Sequence, residues 1–241
     1  MKAVVFLVLA AVAYARNVEP LEQLSQERIV GGSPSNLGEF PYQAGLLAEY
    51  EGISGTGVCG GSLVSANRLT TAAHCWFDGR NQASQLTVVL GSVAILNVFK
   101  LSFPTDTISP ISLPSGAELN QNFPGARAVA SGFGLTLIFY DPTEIPPGNH
   151  VNLNIITNAA CRISFPLNLH STNICTSGFG GTSTCRGDSG GPLVVTSNNR
   201  RIMVGIVSFG SGLGCSAGLP AVYARVTSFM DFFNHKVSYA W

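Results

Sequence analysis

Residues 182–192 read Thr-Ser-Thr-Cys-Arg-Gly-Asp-Ser-Gly-Gly-Pro (TSTCRGDSGGP), a run of small and polar residues with Ser189 between an aspartate and two glycines. Serine is a poor nucleophile unless a base takes its proton, and the oxyanion formed by its attack must be met by fixed N–H donors. Gly187, Gly190 and Gly191 serve both needs: the backbone can turn tightly, and no Cβ screens the N–H groups from a bound carbonyl. Alone, such a run is an ordinary glycine-rich turn. Its reading depends on its company.

The chain has 241 residues, 46% hydrophobic and 11% charged, enough for one large or two modest domains with their own cores. Thirteen basic residues balance thirteen acidic ones, so the overall field gives no reason to expect nucleic acid or an anionic membrane as partner. Residues 1–15, MKAVVFLVLAAVAYA, carry a lysine, an apolar run and a closing Ala13-Tyr14-Ala15. This is the pattern of a signal peptide cleaved after Ala15, and the run is too short for a membrane anchor. Secretion is the expectation, with no membrane association. Six cysteines in an exported chain suit three disulfides. No C-x-x-C occurs and only His74 adjoins a cysteine, so neither metal nor other cofactor is expected.

Past residue 28, short Val- and Ile-rich runs (LTVVL, RAVAS, HVNLNII, GPLVV, IMVGIVSF) alternate with Gly, Pro, Asn and Ser clusters. That rhythm predicts strands and turns. A 3.6-residue pattern appears only in TSFMDFFNHKVS, where Phe229, Phe232 and Phe233 would share one buried helical face. The expected architecture is all-β, barrels or a sandwich, with a C-terminal α-helix. The polar stretch 114–125 is the expected connection between two halves.

Beyond Ser189, the segments Arg28-Ile-Val-Gly-Gly32, Cys59-Gly-Gly-Ser62, Thr71-Ala-Ala-His-Cys75, Ser208-Phe-Gly210 and Pro220–Val226 occur in an order and spacing that resemble the chymotrypsin-family (trypsin-fold) serine endopeptidases, most like an invertebrate digestive chymotrypsin. The resemblance covers almost everything after residue 28. It implies two antiparallel β-barrels, residues 29–125 and 126–241, with the active site between them. It also implies disulfides Cys59–Cys75, Cys161–Cys175 and Cys185–Cys215. The site residues it implies are His74 as general base, Ser189 as nucleophile, and the N–H groups of Gly187 and Ser189 as oxyanion hole. Residues 16–28 would be an activation peptide cut at Arg28-Ile29 by a trypsin-like protease, the freed Ile29 ammonium pairing with Asp188.

Ser208 to Gly210 would bind the substrate backbone as an added strand. Ser183 would form an uncharged pocket floor, Gly210 would leave the wall open, and Ala221 would shorten the slot, so cleavage after Phe, Tyr, Leu or Met is expected. Arg186 at the rim either favours acidic residues near the scissile bond or is a solvated surface charge. Protein or peptide substrates and protease inhibitors are the expected partners of a secreted monomer. Ten arginines against three lysines suit an alkaline fluid such as a gut lumen, because guanidinium keeps its charge there.

The acid of the triad is missing from this pattern. In the family's template it follows the base by about 45 residues and precedes the serine by about 93. Those two counts land on Leu119 and Leu96, about 23 residues apart, and the His74 to Ser189 spacing is 115 against about 138 in the template. Residues 86–93 match one family strand and 99–114 match the segment just after the usual acid, while Ala94 to Val98 contains no carboxylate. About two dozen residues of the first barrel, the acid among them, are expected to be absent. Asp78 would share a helical face with His74 but on the wrong side. Asp106 reads as a turn residue, and Glu118 and Asp141 as solvated loop charges. Three readings remain: a shortened transcript or faulty gene prediction of an active enzyme, which is preferred because nucleophile and base are intact; an endopeptidase with a rebuilt acid; and a weak or inactive homologue kept for binding.

Overall fold

The computed structural model describes residues 29–53, 55–95, 105–134 and 148–234. The leader and activation peptide, Arg28 and Asp141 therefore lie outside the described residues. Burial along the strands follows the expected two-residue period. In the 149–156 run, Val151, Leu153 and Ile155 are buried while Asn152 and Asn154 between them are exposed. Successive side chains of an extended chain point to opposite faces, so such a segment buries one row and wets the other.

The elements are β1 (Ser33–Pro34), β2 (Gln43–Tyr50), β3 (Thr56–Ser65), β4 (Arg68–Thr70), β5 (Ala83–Leu90), β6 (Arg127–Gly132), β7 (Asn149–Ile156), α1 (Asn158–Arg162), β8 (Asn173–Thr176), β9 (Pro192–Ser197), β10 (Arg200–Phe209), β11 (Ala221–Arg225) and α2 (Met230–Asn234). All pairings between these strands are antiparallel. In the second half they run β7-β6-β9-β10-β11-β8, and β8 returns to β7, closing a six-stranded barrel to which β1 adds at one side. Its core packs Ala128, Val151, Leu153, Ile174, Leu193, Ile202, Val204 and Tyr223 around the buried Ile29. Each such large apolar side chain contributes about 1.5–3 kcal/mol by leaving water.

The first half is a curled four-stranded sheet, β4-β3-β2-β5, which does not close among the described residues. Among the described residues its concave face is filled from the connections rather than by further strands. Ile95 reaches the space beside Gly45, where a Cβ would stand 2.8 Å from the Ile95 Cγ1, and Phe133 packs with it against Val89, Leu47 and Val58.

Two expectations are corrected. The C-terminal segment starts as a 3-10 turn, Val226–Phe229, and only then becomes α2. This start changes the phase of the buried stripe, so Val226, Met230 and Phe233, at i, i+4 and i+7, pack inward. Phe229 and Phe232 are exposed, at 43% and 62%. Glu118 is not a solvated loop charge. It caps the 3-10 turn Gly116–Asn120, accepts a hydrogen bond from the Ser115 N–H at 2.9 Å, and pairs with Arg200 at 2.6 Å. The polar stretch 114–125 hides this carboxylate because its turn needs a cap.

Candidate active site

The two halves meet through glycines. The Gly60 N–H on β3 donates to the Ser189 carbonyl at 2.8 Å, and the Thr71 hydroxyl donates to the Gly60 carbonyl at 2.8 Å. A Cβ on Gly190 would stand 2.7 Å from the Ala72 nitrogen, so only glycine fits. These contacts seat Thr71-Ala-Ala-His-Cys75 directly on Gly187-Asp-Ser-Gly-Gly191. The Cys59–Cys75 disulfide pins the 3-10 turn carrying His74 to β3, and a sulfur of that bridge lies 3.5 Å from the Ser189 carbonyl. Gly60, Thr71 and Gly190 are positioning residues; all three lie in the segments quoted from the sequence, which gave no role of their own to Gly60 and Thr71.

The turn around Ser189 is tied from below. The Gly190 N–H donates to the Val207 carbonyl at 2.9 Å and the Gly191 N–H to the Asp188 carbonyl at 2.8 Å. Gly187 has φ +94°, a left-handed conformation natural only to glycine. The N–H groups of Gly187 and Ser189 take no acceptor among the described residues, and no hydrogen bond joins His74 to the Ser189 hydroxyl. Two unengaged donors beside a serine are an arrangement that can receive a developing oxyanion.

Asp188 is fully buried, and burial raises its pKa from 3.8 to about 6, partly offset by N–H donors from Cys185 and Gly134, each at 2.8 Å. Ile29 is likewise fully buried, in the core of the closed barrel.

The imidazole of His74 is held below its ordinary pKa by burial alone. Among the described residues no carboxylate pairs with it, the ion pairs there being His150–Glu39 and Arg200–Glu118. Asp78 is turned to its own loop, accepting from the N–H groups of Arg80 and Asn81, both at 2.7 Å. Asp106 is an exposed residue of the 3-10 turn Thr105–Thr107.

Ser183 is buried beside Val30, its N–H donating to the Val30 carbonyl at 3.1 Å and its hydroxyl to the Thr184 carbonyl at 3.0 Å. Behind it the Tyr223 hydroxyl lies between those of Thr176 (3.2 Å) and Thr184 (3.3 Å). This neutral cluster was not singled out in the sequence, since Thr184 and Tyr223 are distant in the chain. Ala221 is buried at the start of β11, and a Cβ on Gly210 would meet nothing within 4 Å. Ser208 falls at the register break between Val207 and Phe209, outside the β10–β11 ladder. Arg186 is exposed. The cysteines are joined as Cys59–Cys75, Cys161–Cys175 and Cys185–Cys215.

Comparison with known proteins identifies the family. The family model described as Trypsin matches residues 29–99 and 93–233. Serine protease 1 and serine protease 2 of Drosophila melanogaster are each 34% identical over 248 residues, covering 89% of this chain and 88% of theirs. A collagenase of Hypoderma lineatum is 33% identical over 263 residues, covering 95% of both chains. A solved HL collagenase structure superposes with a TM-score of 0.72 at 32% identity, covering 88% of this chain and 99% of its own. The chain belongs to the trypsin family of serine proteases.

Proposed function

We propose that this chain is a secreted endopeptidase precursor, opened at Arg28-Ile29, that cleaves after large apolar residues and turns over slowly because no carboxylate among the described residues orients its base. Ser189 attacks the scissile carbonyl as His74 takes the hydroxyl proton, and the N–H groups of Gly187 and Ser189 receive the oxyanion. His74 then returns the proton to the leaving amine, and water repeats the sequence on the acyl-enzyme. The free N–H pair beside Ser189 carries this reading. A fresh Ile29 ammonium would pair with Asp188, whose raised pKa marks a carboxylate short of positive charge. The neutral surroundings of Ser183 favour apolar side chains over Lys or Arg. Residues 1–15 act as leader, 16–28 as activation peptide, and 29–125 and 126–241 as the two halves of the enzyme.

Replacing the triad acid by its amide lowers turnover about 10⁴-fold, and the remaining apparatus keeps roughly 10³–10⁴ over water. After trypsin treatment, an organophosphonate should label Ser189, and a Phe anilide should be cleaved slowly but faster than an Arg anilide. Turnover at the full rate of family enzymes refutes the lost acid. A natively folded chain that takes no label is a binding protein instead.

A further inference from the structure

Apolar side chains exposed singly are ordinary on a protein surface, whereas a cluster of them marks a binding face. Ile163, Leu167 and Leu213 are 85%, 90% and 82% exposed. They stand on two connections that meet. Ile163 and Leu167 flank Phe165 between α1 and β8, and the Phe165 ring packs edge-on against that of Phe209 at the end of β10, with centroids 5.6 Å apart. Leu213 follows Phe209 by four residues, a reach of about 14 Å at full extension. Two residues later Cys215 is joined to Cys185, which precedes Arg186. The ring contact and the disulfide thus hold three short segments side by side.

Cations frame these apolar groups. Arg162 precedes Ile163 at the end of α1, and both it and Arg186 are exposed and outside the ion pairs of the described residues. The zero net charge of the chain conceals a segregation: between residues 145 and 230 the only acid is Asp188, which is fully buried, and the basic residues there are arginines. The exposed formal charge of that stretch is therefore all positive. Side chains more than four-fifths exposed protrude rather than line a groove, so a folded partner would need a pocket for each. A lipid interface takes protruding apolar groups one by one, and its anionic headgroups attract the flanking guanidinium groups, each strengthening binding about fivefold.

We propose that this face binds anionic lipid–water interfaces, with Ile163, Leu167 and Leu213 entering the boundary of headgroups and acyl chains and Arg162 and Arg186 lying on the headgroups. Such binding is separate from the chemistry of Ser189 and stands whether or not the chain turns over. The test is sedimentation of the full chain, in low salt, with vesicles of phosphatidylcholine and phosphatidylserine in equal parts and with vesicles of phosphatidylcholine alone. The chain should pellet with the mixed vesicles, about tenfold more weakly with phosphatidylcholine alone, and less as salt screens the headgroups. Ile163→Ser combined with Leu167→Ser should weaken binding to the mixed vesicles about tenfold, and Arg162→Gln about fivefold, with melting and Ser189 labelling unchanged in both. No pelleting with the mixed vesicles, or equal pelleting with phosphatidylcholine alone, overturns the proposal. So does a double serine variant that pellets like the wild type, including one that instead raises KM for peptides with apolar residues ahead of the scissile bond, which would make the face a substrate surface.

Discussion

Gly60 and Gly191 touch across the junction of the two halves: a Cβ on Gly60 would stand 2.9 Å from both the nitrogen and the Cα of Gly191. The neighbour is backbone, so it cannot swing aside. Gly60→Ala must push the half-barrel, and His74 with it, away from Ser189. Overpacking of this kind costs about 1–3 kcal/mol, and a misplacement of about 1 Å between reacting groups costs about 10² in rate. The expected outcome is organophosphonate labelling slowed about 100-fold with a lowered but cooperative melt. Labelling at the wild-type rate would show that the contact does not set the site.

Asp188 makes the uncut chain sensitive to pH in a calculable direction. Burial lifts its pKa from 3.8 to about 6, so the folded state holds that proton more tightly than the unfolded state. The carboxyl therefore favours folding fully below pH 3.8, and that stability is lost as the pH rises towards 6, where the unfolded chain has ionised while the buried carboxyl still holds its proton. The full shift corresponds to about 3 kcal/mol. In urea melts of the uncut chain, wild type should lose stability relative to Asp188→Asn between pH 4 and 6. After cleavage the difference should reverse, because the Ile29 ammonium then stabilises the charged form. A gap that stays constant with pH in the uncut chain would remove the argument.

The strands of the closed barrel were legible in the sequence because they announce themselves by two-residue alternation and β-branched content, as in His150–Ile156 and Ile202–Phe209, while their closure into a barrel was implied by the family resemblance alone. The junction around Ser189 was legible because its glycines are obligatory where backbone meets backbone. Three things were not legible, each because a distant or phase-shifting contact decides it. A 3-10 start rotated the terminal stripe away from Phe229 and Phe232. Glu118 finds Arg200 from 82 residues away. Ile95 and Phe133 fill the half-barrel from connections with no periodic signal.

Glu118 gives a second handle on stability. Burial alone would raise its pKa, but the Ser115 N–H, the Ser197 hydroxyl and the Arg200 guanidinium outweigh burial and hold it below 4.5. A depressed carboxylate contributes stability above its unfolded pKa and loses it as the pH falls through the folded one. Glu118→Gln should cost about 2 kcal/mol at pH 7, the scale of a charge-assisted hydrogen bond, and the deficit should shrink below pH 4.5. Urea melts of both proteins at pH 7 and pH 4 measure it, and an unchanged midpoint at pH 7 contradicts the capping role.

His74 offers the most direct test of the proposed loss of the acid. An orienting carboxylate would favour the imidazolium and raise the pKa of the ring, whereas burial without one lowers it. Among the described residues burial is the one cause acting on His74, and its direction is downward from 6.5. As the proposed general base, His74 should thus be unprotonated to lower pH than an ordinary histidine, and the acid limb of kcat/KM on a Phe anilide should have its midpoint below pH 6.5. The same reasoning separates orientation from proton uptake. His74→Ala should lower kcat/KM by a further 10²–10⁴ and abolish that limb, because what turnover remains then has no titrating base. If the limb instead falls above pH 6.5, a negative charge stands beside the ring, and the slow turnover expected of this chain needs another cause.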